Sequence, residues 1–209
     1  MAKFNLSDIA NEVKKEFKDN PKLAKKIGVG SDLRTLEAKD FLKMPEWWQK
    51  ATGVPGLPFG KIVMIAGDSD SGKTSACISA MKAAQEQDVI ILYVETEGKT
   101  TPDDMRAWGV DPDGVMLVQS AVAEEAFELM FSAWDKIVAK YPKASILLIF
   151  DSLGNTVSMR DAEINLTEQS SKPGGKGGIN RLAINKKKKK RDETNAAILF
   201  VNYTYDNIG

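Results

Sequence analysis

The chain has 209 residues, of which 43% are hydrophobic, enough for one main folded domain with a small additional segment. Its 29 basic and 29 acidic residues cancel, so net charge indicates neither a nucleic-acid nor a membrane partner. The single cysteine, Cys77, excludes an internal disulfide, and the absence of histidine excludes histidine-based zinc binding and acid–base catalysis. Without a signal-peptide pattern or a long apolar stretch, the sequence predicts a cytoplasmic protein that does not bind membranes.

The first 60 residues are predicted to form a helical arm and a linker. Within residues 5–27, four apolar residues recur on one helical face: Leu6, Ile9, Val13 and Phe17. Asn20 followed by Pro21 is typical of the start of a second short helix. Residues 1–30 are therefore predicted to be an N-terminal helical arm, and residues 31–60, with their glycines and prolines, an irregular linker.

From residue 61 onward, short apolar segments alternate with longer amphipathic ones. Five segments are predicted to be strands: 61–66, 89–94, 115–119, 145–150 and 197–202. The uninterrupted apolar run at 146–150 is typical of a strand buried on both faces. Residues 122–140 carry apolar side chains at helical spacing and are predicted to pack on the sheet. The pattern predicts an α/β fold with a mostly parallel sheet flanked by helices.

Residues 67–74 match the phosphate-binding P-loop pattern G-x-x-x-x-G-K-[S/T], between a predicted strand and a predicted helix. In such a loop, glycines let the backbone wrap a phosphate, and N–H groups at the helix N-terminus bind its charge. Lys73 is expected to reach the outer phosphates and Thr74 to ligate Mg²⁺. The residues predicted to bind the nucleotide here are Gly67, Asp68, Ser69, Asp70, Ser71, Gly72, Lys73, Thr74 and Ser75.

Carboxylates follow two other predicted strands. Asp151 ends the apolar strand 145–150, at the sheet edge where parallel folds bind ligands, and is predicted to ligate Mg²⁺ together with Thr74. A strand-terminal aspartate that only caps a helix is the alternative. Glu95 and Glu97 follow the strand 89–94 on one face, and either is a candidate to activate water or a solvated strand end.

A series of segments carries a resemblance to a known family. They are Gly56-Leu57-Pro58 with Gly60-Lys61-Ile62-Val63, the P-loop, Glu97 followed by Pro102 and Arg106, Gly109-Val110-Asp111, Phe150-Asp151-Ser152-Leu153-Gly154-Asn155, and Val201-Asn202-Tyr203-Thr204-Tyr205. Over about residues 45–209 the chain resembles the RecA family of recombinases, most closely the phage branch typified by UvsX.

The resemblance implies a RecA-like ATPase core at residues 61–209 that binds ATP with Mg²⁺. It implies that Glu97, rather than Glu95, positions the attacking water, that Lys73 is the second catalytic residue and holds the phosphates, and that Asn202 and Tyr203 sense the γ-phosphate. It implies that the N-terminal arm docks on the next subunit. Because the family continues beyond the last of these segments, the chain is expected to be C-terminally truncated. The aromatic residue that often stacks on adenine is absent from 101–104, which leaves the base preference open.

Residues 159–178 form a long polar connection that ends in glycines and lysines. The resemblance places the family's first DNA-binding loop here. The residues predicted to bind single-stranded DNA are Lys172, Gly174, Gly175, Lys176, Gly177 and Gly178. A plain flexible linker is the alternative, since the loop has no aromatic residue to stack on a base. The five lysines at 186–190 interrupt a predicted helix that begins at Ile179, and no feature of the fold accounts for them.

The leading hypothesis is an ATP-dependent recombination and repair protein. It would form filaments of its own copies on single-stranded DNA, promote strand exchange, hydrolyse ATP, and work with mediator and single-strand-binding proteins. One alternative is a RecA-fold helicase or motor. The other is a nucleotide-binding filament module with little catalysis.

Overall fold

The computed structural model describes residues 5–24, 26–29, 41–163, 178–181, 183 and 194–204. The chain divides into two compact units, Met1–Glu37 and Ala38–Gly209.

The first unit contains two helices, α1 (Leu6–Glu16) and α2 (Pro21–Ala24). Their first turns are capped by asparagine, because the Asn5 and Asn20 side chains each accept a bond from a backbone N–H three residues later. The predicted helices are thus confirmed, although the first ends at Glu16 rather than extending further. No residue of α1 is buried. The oligomerisation role of the arm stays a prediction.

The second unit begins with a two-stranded antiparallel sheet, formed by β1 (Phe41–Lys43) and β2 (Gly56–Pro58), which flank helix α3 (Glu46–Thr52). Leu42, Trp48 and Leu57 are buried in the core. The prediction of an irregular linker over residues 31–60 is therefore wrong for 41–58. Strands of three residues are too short to show a period, and the glycines and prolines at their ends indicated turns.

The main sheet has five strands: β3 (Ile62–Gly67), β4 (Ile90–Glu95), β5 (Val115–Gln119), β6 (Ile146–Asp151) and β7 (Ala196–Tyr203). Their order is β3-β7-β6-β4-β5, and every neighbouring pair is parallel. The helices that follow or flank them are α4 (Lys73–Gln85), α5 (Pro102–Ala107), α6 (Ala123–Lys140) and α7 (Met159–Glu163), with a short 3-10 helix at Pro112–Gly114. The predicted strands and the α/β class are confirmed.

Side chains of the sheet alternate between two hydrophobic clusters. In β6, Leu147 and Ile149 join the cluster that contains α4, while Ile146, Leu148 and Phe150 join the cluster that contains α6. Burial on both faces explains why the β6 sequence is apolar without alternation.

The parallel arrangement brings the carboxyl ends of the strands to one edge. In register, Glu95 lies opposite Asp151, and Gly67 lies opposite Tyr203. Residues far apart in sequence therefore meet where the P-loop begins. Among the described residues, no helix combines the length and apolar character needed to cross a membrane.

Candidate functional site

The P-loop connects β3 to α4 with its lysine folded inward. Gly72, the residue before α4, has φ of +86°, a left-handed conformation that favours glycine. The Lys73 side chain is buried, and its ammonium donates to Gly67 O at 3.0 Å and also to Asp68 O. It lies 4.2 Å from the centre of the Tyr203 ring. A cation held by neutral carbonyls and a ring is available to an incoming anion.

The side-chain oxygens of Thr74 and Asp151 lie next to each other. The Thr74 hydroxyl donates to Asp151 Oδ2 at 2.8 Å. Burial raises the pKa of Asp151, and the negative charges of Glu97 and Glu95 add to that effect, against the opposing influence of Thr74 and Lys73. A bound cation would favour the charged form of this carboxylate. Hard oxygen ligands beside a phosphate site suit Mg²⁺.

The described residues contain no cluster of three or more metal-ligating acidic, cysteine or histidine side chains. A magnesium ion held by Thr74 and Asp151 would therefore complete its shell with phosphate oxygens and water, as Mg²⁺ commonly does. The residues fit that ion.

Glu95 and Glu97 have different surroundings. The Glu95 side chain is buried and accepts three backbone N–H bonds, from Glu97 at 3.2 Å, Gly98 at 2.6 Å and Lys99 at 3.1 Å. These bonds hold the turn that follows β4. The carboxylate of Glu95 is thus hydrogen-bonded to the backbone of the turn that follows it, whereas the side chain of Glu97 lines the P-loop cavity.

The Glu97 carboxylate receives side-chain donors from three elements. Tyr203 donates its hydroxyl to Oε1 at 2.8 Å, Ser152 donates to the same oxygen at 3.1 Å, and Lys99 Nζ lies 2.5 Å from Oε2. Burial acts to raise the pKa of Glu97, but hydrogen bonds from Lys99, Tyr203, Asn155 and Ser152 outweigh it and the pKa is lowered. Glu97 is consequently an anion at neutral pH.

The end of β7 is tied to the start of the P-loop. Asn202 lies opposite Ala66 in the sheet register. Thr204 donates its hydroxyl to the Asp68 side chain, and its backbone N–H donates to Gly67 O at 3.3 Å. Sequence reasoning gave no role to Thr204, Ser152 or Lys99, although the first two lie within segments that carry the resemblance, because their contacts depend on the tertiary fold.

Two adjoining cavities lie at the loop. A polar cavity of about 260 Å³ is lined by Ser69, Asp70, Gly72, Lys73, Thr74, Ser75, Glu97, Lys99 and Tyr203. A larger, mostly apolar cavity of about 850 Å³ shares Gly72, Lys73 and Ser75 with it and is walled partly by Trp47 and Trp108. Charge and apolar surface are therefore side by side.

Most of the predicted DNA-binding residues, Lys172 and Gly174 to Gly177, lie outside the described residues, as do the lysines at 186–190. Gly178 is described and is exposed, at the start of helical residues 178–181. The DNA-binding loop stays a prediction.

Comparison with known proteins matches residues 46–209 to the RecA N-terminal domain. Protein RecA of Leifsonia xyli is 31% identical over 160 residues, 76% of this chain and 42% of that protein. Protein RecA of Limosilactobacillus reuteri is 28% identical over 194 residues, 90% of this chain and 51% of that protein. The chain thus spans about half the length of the curated relatives it matches. Because the match to the RecA N-terminal domain covers more than half of the chain, the chain belongs to the RecA family.

Proposed function

We propose that the chain is the ATPase part of a recombination and repair protein that binds ATP with Mg²⁺, assembles on single-stranded DNA and promotes strand exchange. The observation that carries the proposal is the convergence of Lys73, the Thr74–Asp151 pair and Glu97 around one polar cavity. Family membership supports the DNA-related role. The placement in the UvsX-like phage branch stays a prediction, since the relatives named above are bacterial proteins.

The proposed chemistry begins with the phosphates. The N-terminus of α4 offers its free N–H groups and its dipole to the phosphates, and Lys73 exchanges loop carbonyls for phosphate oxygens. When bound, Mg²⁺ would neutralise charge that develops on the phosphates. Thr74 and Asp151 are the residues proposed to hold it.

Glu97 is proposed to orient a water for attack on the terminal phosphate. It is anionic and lies across the cavity from the P-loop, as a water-positioning residue requires. Tyr203 bonds to Glu97 and its ring lies beside Lys73, so it contacts both sides of the proposed reaction centre. We propose that Asn202 and Tyr203 report the state of the terminal phosphate to residues that follow β7.

The apolar cavity is the place proposed for the nucleotide base. It adjoins the phosphate cavity, and the Trp47 and Trp108 side chains are 46% and 48% exposed. Base stacking on an aromatic side chain contributes about 1–3 kcal/mol. Trp108→Ala is therefore expected to weaken ATP binding by about fivefold to a hundredfold and to leave binding of inorganic triphosphate unchanged. An equal loss of affinity for both ligands would contradict the placement of the base in this cavity.

ATP hydrolysis by the chain with and without single-stranded DNA tests the proposed function, with Lys73→Ala as the variant expected to lose nucleotide binding. Normal hydrolysis by Lys73→Ala would overturn the assignment of the site. Duplex unwinding without strand pairing would support a motor instead, and nucleotide binding without turnover in either condition would support a filament module with little catalysis.

A further inference from the structure

Among the described residues, two lysines line the polar cavity, and one of them, Lys73, belongs to the P-loop. Lys73 lies buried beneath the loop, whereas Lys99 comes from the turn after β4 and its side chain is 68% exposed. Glu95 fixes the backbone of that turn by accepting the Lys99 N–H. Lys99 therefore has an anchored backbone and a long side chain at the rim of the cavity.

The ammonium of Lys99 lies against the carboxylate that is proposed to act on water. Glu97 Oε1 already accepts bonds from Tyr203 and Ser152, and Lys99 Nζ lies 2.5 Å from Oε2. Side-chain donors thus occupy both oxygens of Glu97. A carboxylate in this state has little capacity left to accept a bond from water.

The surroundings of Lys99 are anionic on two sides. Glu97 is its bonded partner, and Asp70 of the P-loop also raises the pKa of Lys99 through its charge, after the larger effect of Glu97. Lys99 lines the same cavity as Asp70 and Lys73 of the P-loop, so its cation lies near the space where the P-loop would hold phosphates. A terminal phosphate carries more charge than either carboxylate and presents three acceptor oxygens.

We propose that Lys99 exchanges partners when a nucleoside triphosphate binds: its ammonium moves from Glu97 Oε2 to the terminal phosphate. The exchange has two effects. It adds a second cation to the phosphate site, and it frees an oxygen of Glu97 to accept a bond from the attacking water. Lys99 then distinguishes a triphosphate from a diphosphate. The inference rests on the proposed function, because it needs a nucleotide in the P-loop.

The test compares affinities for a non-hydrolysable ATP analogue and for ADP, both with Mg²⁺, by calorimetry. Lys99→Gln is expected to weaken binding of the ATP analogue relative to ADP, so that the dissociation constant of the analogue divided by that of ADP rises about tenfold. This is the effect of losing one charge-assisted hydrogen bond. Lys99→Arg should restore most of the parent ratio. The matched control is Lys50→Gln, which removes another exposed lysine from an ion pair, with Glu46, outside the cavity.

An unchanged ratio in Lys99→Gln would overturn the inference. The Lys99 side chain is mostly exposed, and Glu97 keeps its bonds from Tyr203 and Ser152, so the variant should fold with a melting temperature near the parent value. Parent protein that binds neither nucleotide would overturn the proposed function, and the inference with it. The two failures are therefore distinguishable.

A double-mutant cycle tests the exchange itself. In Glu97→Gln, Lys99 has no carboxylate to leave, so the ATP analogue should bind more tightly than to the parent. Part of that gain reflects reduced repulsion between Glu97 and phosphate, which does not depend on Lys99. The gain should shrink when Lys99→Gln is added, and additive effects of the two substitutions would contradict the exchange.

Discussion

Glutamine substitution at Glu95 and at Glu97 separates a carboxylate that holds backbone from one that faces the cavity. In Glu95→Gln the amide can accept through its oxygen alone. The side chain then turns an N–H₂ group toward at least one of the three N–H donors, and the remaining bonds lose their charge. One unsatisfied, partly buried donor and weaker bonds at the other two cost about 2–4 kcal/mol of unfolding free energy.

Thermal unfolding followed by circular dichroism measures this cost. For a domain of this size, about 2–4 kcal/mol corresponds to a fall in melting temperature of roughly 4–16 °C. Hydrolysis should fall as well, because the turn positions Glu97 and Lys99. Glu97→Gln is expected to remove hydrolysis while its melting temperature stays close to that of the parent, since Tyr203 and Ser152 can still donate to the amide oxygen.

Exposed Glu86, at the end of α4, provides the control substitution Glu86→Gln. It should alter neither stability nor hydrolysis. A Glu95→Gln protein as stable as the parent would refute the structural role of Glu95, and full hydrolysis by Glu97→Gln would refute the proposed role of Glu97.

Three further predictions concern the core, the thiol and a helix cap. Leu42→Ala should lower the unfolding free energy by about 2–5 kcal/mol in denaturant titrations, because Leu42 is fully buried. A change of less than about 0.5 kcal/mol, typical of surface substitutions, would contradict the packing of β1 on the core. Burial, with a smaller contribution from the charge of Asp151, raises the pKa of Cys77, so a thiol reagent should modify it only when the protein unfolds, and rapid labelling of native protein would contradict this. Hydrogen bonds from the Thr101 side chain and backbone lower the pKa of Asp104, so the stability it adds at neutral pH is lost as pH falls through that lowered value. The difference in melting temperature between the parent and Asp104→Ala should therefore narrow toward acid pH, and a constant difference would contradict the capping role.

Local sequence patterns were sufficient to place the P-loop between β3 and α4. The P-loop residues are consecutive in sequence and lie in one strand–loop–helix unit, so their spacing predicts their arrangement. Asp151 could also be placed, because an apolar run with a carboxylate at its end predicts the edge of a parallel sheet, and the register puts it there opposite Glu95.

Strand alternation could not distinguish the role of Glu95 from that of Glu97. Alternation puts both on one face, but β4 ends at Glu95 and the chain then turns back, so that Glu95 bonds to the amides of its own turn. Only the resemblance favoured Glu97, and its role as the water-positioning residue stays a proposal. Lys99 went unnoticed because its contact with Glu97 depends on that same turn.

The elements at 41–58 escaped prediction for a different reason. Glycine is common in turns, yet Gly56 is a strand residue. A Cβ at this position would lie 1.9 Å from Leu42 O. Glycine at this position permits close approach of β1, a tertiary requirement with no local signature.

The position of β3 in the sheet affects how the protein behaves in concentrated solution. Among the described strands of the main sheet, β3 pairs with β7 alone, so its other edge has no described strand beside it, and its Met64 side chain is 50% exposed. Such an edge can recruit a strand from another molecule and start aggregation. Because the P-loop follows β3 directly, edge-to-edge aggregation at β3 would take place beside the proposed phosphate site.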